Sequence, residues 1–265
     1  MDLATIIGIL IGVIAIGVGM VLKGVALSAL ANPAAFLIII AGTVASVTVA
    51  FPMSELKRVP KLFGILFTEK KTANYTELIK TFSDLAQLAR KEGLLALEVK
   101  INEVEDPFLR NGLSLAVDGQ SADYIRDVLT EEIEAMEERH ESGALIFSQA
   151  GTYAPTLGVL GAVIGLIAAL GNMNDTEALG HAIAAAFIAT MLGIFTGYVL
   201  WHPFSNKLRR KSKIESQQKY MMIEGILSIL EGEAPRIIEQ KLASYLPASE
   251  RRKFLEGSVT NNEQA

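Results

Sequence analysis

Leu3 to Leu22 reads LATIIGILIGVIAIGVGMVL, twenty residues without an Asp, Glu, Lys, Arg or His. A helix rises about 1.5 Å per residue and the hydrocarbon core of a bilayer is about 30 Å thick, so a run of this length crosses once. Three further runs share its character: Pro33 to Phe51, Thr152 to Leu170 and Ala182 to Trp201, each of 19 or 20 residues. Buried helices of a large soluble protein are the alternative, but four uncharged runs in 265 residues favour four transmembrane helices. The 51% hydrophobic content stands beside 20% charged residues, so the apolar residues are gathered in blocks. Met1-Asp2-Leu3 lacks a basic leader and no A-x-A cleavage pattern follows, so the first run is expected to persist as a span.

The connections set the expected layout. Lys23 to Asn32 and Gly171 to His181 are short, with one Lys in the first and neither Lys nor Arg in the second, so each closes a helical hairpin. The opposite side is basic: Lys57, Arg58, Lys61, Lys70 and Lys71 follow span two, and Lys207, Arg209, Arg210, Lys211 and Lys213 follow span four. The positive-inside rule puts both flanks, and therefore both termini, in the cytoplasm. The expected division is a first hairpin over 1–51, a cytoplasmic helical domain with a stalk over 52–151, a second hairpin over 152–201, and C-terminal cytoplasmic helices with a disordered tail over 202–265. Lys207 to Lys213 reads as a basic helix anchored at anionic headgroups.

The segment Pro52 to Gly151 is patterned to fold. Asn74 with Glu77 resembles a capping box, and Leu78, Phe82, Leu85 and Ala89 recur at helical spacing until Gly93 interrupts. After the turn Asp118-Gly119-Gln120, Ser121 is a possible N-cap, followed by Ile125, Leu129, Ile133 and Met136. With no proline between Pro107 and Pro155, this helix is expected to run almost continuously into span three as a stalk. Farther on, Ile226, Leu227 and Leu230 continue an amphipathic helix, Glu231 to Pro235 break it, Arg236 to Tyr245 form a short helix, and residues from Gly257 onward read as disordered. No strand period stands out, so the fold class is all-α: a polytopic membrane protein with four transmembrane helices in two hairpins and a helical cytoplasmic domain.

Little in the chain points to enzymatic chemistry. There is no cysteine, and His140, His181 and His202 lack metal-ligand spacing. No nucleophile–base arrangement or phosphate loop is present, and a net charge of −5 argues against nucleic acid. Neither cofactor nor metal is expected. The glutamates between Glu131 and Glu141 read as a solvated helix face.

Ionisable residues inside a membrane normally mark an ion path, and these spans hold none. They hold small pairs instead, Gly8 with Gly12, Gly161 with Gly165, and Gly193 with Gly197. Such pairs allow close helix packing within the chain, between copies, or against another protein. Thr43, Thr48, Thr156, Thr190 and Thr196 are the hydroxyls at membrane depth, each expected to bond back to its own helix. Thr190, mid-span among small residues, is the one best placed to support water or an ion beside a carboxylate supplied from elsewhere. Pro155 and Pro203 sit near the inner ends of spans three and four as hinges or as simple punctuation, and Asn32-Pro33 reads as a helix start.

Six segments carry a family resemblance: GVGM at Gly17 to Met20, ANPAA at Ala31 to Ala35, RKEGLLALE at Arg90 to Glu98, Asp118-Gly119, APTLG at Ala154 to Gly158, and ATMLGI at Ala189 to Ile194. In this order, within two hairpins, they resemble the MotA family of flagellar stator subunits over nearly the whole chain. The resemblance implies a homo-oligomeric ring around a MotB-type single-span partner, whose membrane aspartate binds the moving ion in the bacterial inner membrane. It implies rotor contact with FliG at Arg90 and Glu98, coupling hinges at Pro155 and Pro203, and an ion path past Thr190. Sodium-driven relatives tend to carry a threonine at the position of Ala162, so this chain is expected to use protons. The function implied is conversion of ion flow into torque. Alternatives are an ExbB- or TolQ-like envelope energy transducer, whose relatives usually have three spans and an outside N-terminus, and a non-conducting membrane scaffold.

Overall fold

A computed structural model describes residues 2–68, 75–171 and 175–254. Asn74, Lys70, Lys71 and the tail from Gly257 fall outside these residues, so the proposed capping box, part of the basic flank and the terminal disorder do too. The described residues are helical throughout, without a strand. Four helices are long and apolar enough to cross a membrane: Leu3–Leu22, Pro33–Ala50, Ala122–Leu170 and Thr176–Leu230.

Local chemistry accounts for the helix limits. Asp2 caps the first span by accepting from Thr5 N, and Asn32 caps the second by accepting from Ala35 N at 3.1 Å, with Pro33 in the first turn. Span two stops at Ala50 because Phe51, the residue before Pro52, is extended. Asp175 caps the fourth helix through Glu177 N and Ala178 N. Spans two and four each contain a π-helical segment, Leu37–Ala41 and Thr196–Trp201. The second immediately precedes His202-Pro203, where Pro203 has no amide to offer the carbonyl of Val199 and the regular i−4 ladder cannot close.

The chain forms two compact units. One comprises Met1–Lys70 and Arg139–Lys211, the other Lys71–Glu138 and Ser212–Ala265. In the first unit most large apolar side chains of the spans point outward: Val49 is 90% exposed, Phe187 71% and Ile167 65%. A surface this apolar suits lipid or other transmembrane helices rather than water. Its inward side chains form small clusters, including Ala35, Ile39, Ala154 and Ala189, and an aromatic group of Phe63, Phe147, Trp201 and Phe204 packed largely edge to face.

The second unit has a conventional core. Phe82, Phe108, Leu113, Ile125, Leu129, Ile133 and Ile226 are fully buried there, and burying a side chain of this size contributes about 1.5–3 kcal/mol. The apolar face read from Leu78, Phe82 and Leu85 is buried in the helix Tyr75–Glu92. That helix ends at Gly93, whose φ of 89° favours glycine. Ser121 Oγ accepts from Tyr124 N, and the helix behind it runs unbroken from Ala122 to Leu170, 49 residues including Pro155. Among the helices missed by periodicity, two run for nine residues or more. Pro107–Val117 is announced by Asp106, which accepts from Phe108 N and Leu109 N, with Pro107 at the first helical position; Val59–Phe67 likewise has a proline in its first turn. The C-terminal helix Pro235–Leu242 is tied down by Lys241, 2.6 Å from Glu224 and 3.4 Å from Glu233.

Candidate functional site

Spans three and four meet backbone to backbone. A Cβ at Gly193 would sit 2.7 Å from Ala154 O and 2.8 Å from Gly158 Cα, and one at Gly158 would sit 2.9 Å from Ala189 O. Gly165 faces Ala186 and Gly161 faces Ala189, so both glycine pairs of these spans are used inside the chain. The pair in span one divides: Gly12 faces Val199, whereas among the described residues nothing lies within 4 Å of a Cβ built at Gly8.

Pro155 belongs to this contact. Its ring deprives Gly151 O of the usual i+4 amide, and that carbonyl faces Gly197, where an added Cβ would sit 2.8 Å from Gly151 O and 2.8 Å from Pro155 Cγ. Proline and glycine therefore fit one another across the helices, a pairing that linear spacing did not reveal. Pro203 is exposed just beyond the π segment of span four.

Thr190 and Ala162 are both half-buried. The Thr190 hydroxyl donates to Ala186 O at 3.3 Å, Ala189 beside it is buried, and Ala162 brings no oxygen. Close by, Gly161 faces Ala189 and Ile38, and Gly165 faces Ala186. Back-bonding to the helix also holds for Thr48, Thr156 and Thr196, but Thr43 is an exception, 3% exposed with no partner for its hydroxyl among the described residues.

Arg90 and Glu98 lie in the second unit, one in the last turn of Tyr75–Glu92 and the other in the first turn of Leu97–Ile101. Both are exposed. Between and beside them Leu95 and Val99 are 72% and 70% exposed, an apolar addition to the charged motif that charge patterning alone passed over.

The basic flank after span four is not mainly turned toward headgroups. Lys207 Nζ lies 2.6 Å from both Asp2 Oδ1 and Thr5 Oγ1. Lys211 donates to Ile65 O at 2.5 Å and Thr68 O at 2.8 Å, and Arg209 forks onto Glu141. The Lys207 hydrogen bond, opposed by desolvation, holds the Asp2 carboxyl down at about 2. Arg209 similarly lowers the Glu141 carboxyl. The expected headgroup anchor is thus largely an internal clasp, because Asp2 supplies at close range the negative charge that a lipid would otherwise offer.

Among the described residues no group of three or more His, Asp or Glu is placed to hold a metal ion. Residues 6–93 match the motility protein A N-terminal family and residues 100–221 match the MotA/TolQ/ExbB proton channel family. The chain is 66% identical over 265 residues to motility protein A of Bacillus subtilis, covering all of this chain and 98% of the relative. It superimposes on a chain of the flagellar MotAB stator complex from Bacillus subtilis with a TM-score of 0.90, at 67% identity over 95% of this chain and 99% of that one. The corresponding values for a chain of C. jejuni MotAB are 0.89, 33%, 94% and 97%. With matching models over both hairpins and relatives similar along their whole length, the chain belongs to the MotA family of flagellar motility proteins within the MotA/TolQ/ExbB proton channels, a non-enzymatic family of multi-pass membrane proteins.

Proposed function

We propose that this chain forms the homo-oligomeric ring of a proton-driven stator in the bacterial inner membrane, around a MotB-type single-span subunit that supplies the membrane aspartate, and that it delivers torque to FliG. The observation that carries this reading is the wall itself: uncharged spans, closely packed through Gly158, Gly193 and Gly197, in a chain similar end to end to one from a MotAB stator complex.

A proton arriving from outside neutralises the partner's aspartate and changes how its helix packs against the alanine-rich surface near Thr190 and Ala162. Each elementary charge crossing yields about 2.3 kcal/mol per 100 mV, enough to bias a step between similarly packed states. Pro155 and Pro203 act as coupling hinges. Arg90 and Glu98, with Leu95 and Val99 alongside, make the rotor contact, and exposed charge pairs suit an interface that forms and breaks repeatedly. The termini lie in the cytoplasm in this reading, which the lysines and arginines after spans two and four support through the positive-inside rule.

The test is co-purification from the native membrane followed by a motility assay of the deletion. The expected result is a single-span partner with a membrane aspartate and loss of swimming with intact flagella. A partner involved in envelope energy transduction, with swimming unaffected, overturns the reading.

A further inference from the structure

The basic flanks after spans two and four are alike in sequence, and the structure separates them. After span four, Lys207 and Lys211 turn onto Asp2 and the carbonyls of Ile65 and Thr68, and Arg209 turns onto Glu141. After span two, Lys57, Arg58 and Lys61 are all exposed, and among the described residues their side chains have neither an ion pair nor a hydrogen bond. Over 52–68 these three cations stand against one carboxylate, Glu55.

The segment that carries them is tied to the membrane boundary at both ends. It leaves span two at Phe51, and Val59 packs against the cluster of Val47, Ile146 and Ala150. Each member of that cluster lies within two helical turns of the end of an uncharged run, so the level is the same whichever of them Val59 touches. At the other end Phe67 O accepts from Asp2 N at 2.9 Å, and Asp2 directly precedes Leu3, where span one begins. The helix Val59–Phe67, about 13 Å long, therefore stays at the boundary. Its inner face is apolar: Leu66 is fully buried, Leu62 lies against Gly143, and Phe63 meets Phe147 and Phe204 edge to face. Lys57 and Lys61 are one turn apart on the opposite side, and Met53, 60% exposed, adds an apolar group at the end nearer span two. Apolar stems with charged ends suit a surface that meets lipid on one side and water on the other.

We propose that Lys57, Arg58 and Lys61 form a binding surface for the phosphate groups of anionic phospholipids, laid along the boundary by the helix Val59–Phe67. Asp2 and Glu141, carboxylates of the same unit, are already held by Lys207, Lys211 and Arg209, so lipid phosphate is the negative charge left for these three cations at that depth. Each lysine or arginine near an anionic surface strengthens the attraction about fivefold. The anchor expected of Lys207 to Lys213 is thus supplied by the flank of span two. The inference rests on the four-span layout and not on torque or proton coupling, so it stands if the stator reading fails.

The test uses the full chain, extracted from its native membrane and reconstituted in vesicles of equal parts phosphatidylcholine and phosphatidylglycerol, with a trace of either lipid spin-labelled. Electron paramagnetic resonance should show phosphatidylglycerol immobilised at the chain in preference to phosphatidylcholine, and high salt should lower that preference. Lys57→Gln/Arg58→Gln/Lys61→Gln should remove most of it. Arg251→Gln/Arg252→Gln/Lys253→Gln, which loses the same charge from the other unit, should keep it. No preference in the wild-type chain, an unchanged preference in the first variant, or an equal loss in the second overturns the proposal. The chain has no cysteine, so Ser54→Cys, exposed three residues before Lys57, takes a spin label whose depth is read even where the triple variant fails to fold. Its relaxation by a soluble nickel complex against that by oxygen should place it at the headgroups. A label in bulk water, or a map of the assembly with the three side chains on carboxylates of a neighbouring copy, overturns the proposal.

Discussion

Asp2 Oδ1 and Lys207 Nζ, 205 positions apart in sequence, lie 2.6 Å from each other and join the start of span one to the helix that leaves span four. Thr5, Lys211 and the carbonyls of Ile65 and Thr68 complete the clasp. Its lysines are only about a quarter exposed, and hydrogen bonds to charged groups are worth about 1.5–3 kcal/mol when sheltered in this way. Asp2→Asn should lower the thermal unfolding midpoint of the full chain by several degrees.

The same pair sets an acid dependence. The Asp2 carboxyl is lowered from 3.8 to about 2, so the native state favours the ionised form. The stability it contributes is fully present above the ordinary carboxylate range and is lost as pH falls through about 2. Comparing wild-type and Asp2→Asn melting from pH 5 to pH 2 should show the difference between them shrinking with acid. A constant difference across that window counts against the linkage.

Arg209 and Glu141 provide a control. Their fork has contacts of 2.6 and 2.9 Å, yet the side chains are 39% and 53% exposed. Solvent-exposed pairs contribute about 0–1 kcal/mol. Glu141→Gln should therefore shift the unfolding midpoint less than Asp2→Asn, and high salt should narrow that smaller effect further.

The crossing of spans three and four predicts a contrast between two glycines. Gly193→Val puts atoms where Ala154 O and Gly158 Cα already lie, and should abolish stable assembly in the membrane. Gly8→Ala meets no atom of the described residues within 4 Å and should be tolerated by the folded chain. Membrane-fraction immunoblots with size-exclusion profiles of detergent extracts distinguish the two outcomes.

Charge reversal at Arg90 and Glu98 together should reduce torque while leaving membrane assembly intact, because both side chains are exposed. Tethered-cell rotation with parallel membrane quantification measures this, and normal torque in the double variant removes them from the rotor contact. Leu95→Ser should weaken torque in the same way.

Ala162 offers no oxygen to replace sodium's water shell. Swimming should persist in sodium-free medium and stop when the proton gradient is dissipated. The reverse pattern assigns the motor to sodium.

Much of the helix plan was legible because it depends on neighbours in sequence. Leu3 to Leu22 announces a span by length and lack of charge. Asn32-Pro33, Gly93 and Ser121 punctuate helices through their own backbone and side-chain preferences. The same kind of signal was present at Asp106-Pro107, but only three buried large residues, Phe108, Leu109 and Leu113, follow it, too short a pattern for periodicity to identify. Arg90, Glu98, Thr190 and Ala162 were selected through family motifs, since a lone exposed charge or a lone alanine carries no chemical message of its own.

The sequence by itself determined four uncharged spans, a long helix entering the third, and the absence of an ionisable group within any of them, since each follows from composition along a single segment. Tertiary structure alone decided that Gly193 meets Gly158, that Pro155 fits Gly197, that Asp2 takes the lysines expected to face lipid, and that the Thr43 hydroxyl is buried without a hydrogen-bond partner among the described residues. These depend on how distant helices approach one another, and side-chain spacing along one helix specifies a face without specifying what that face will meet.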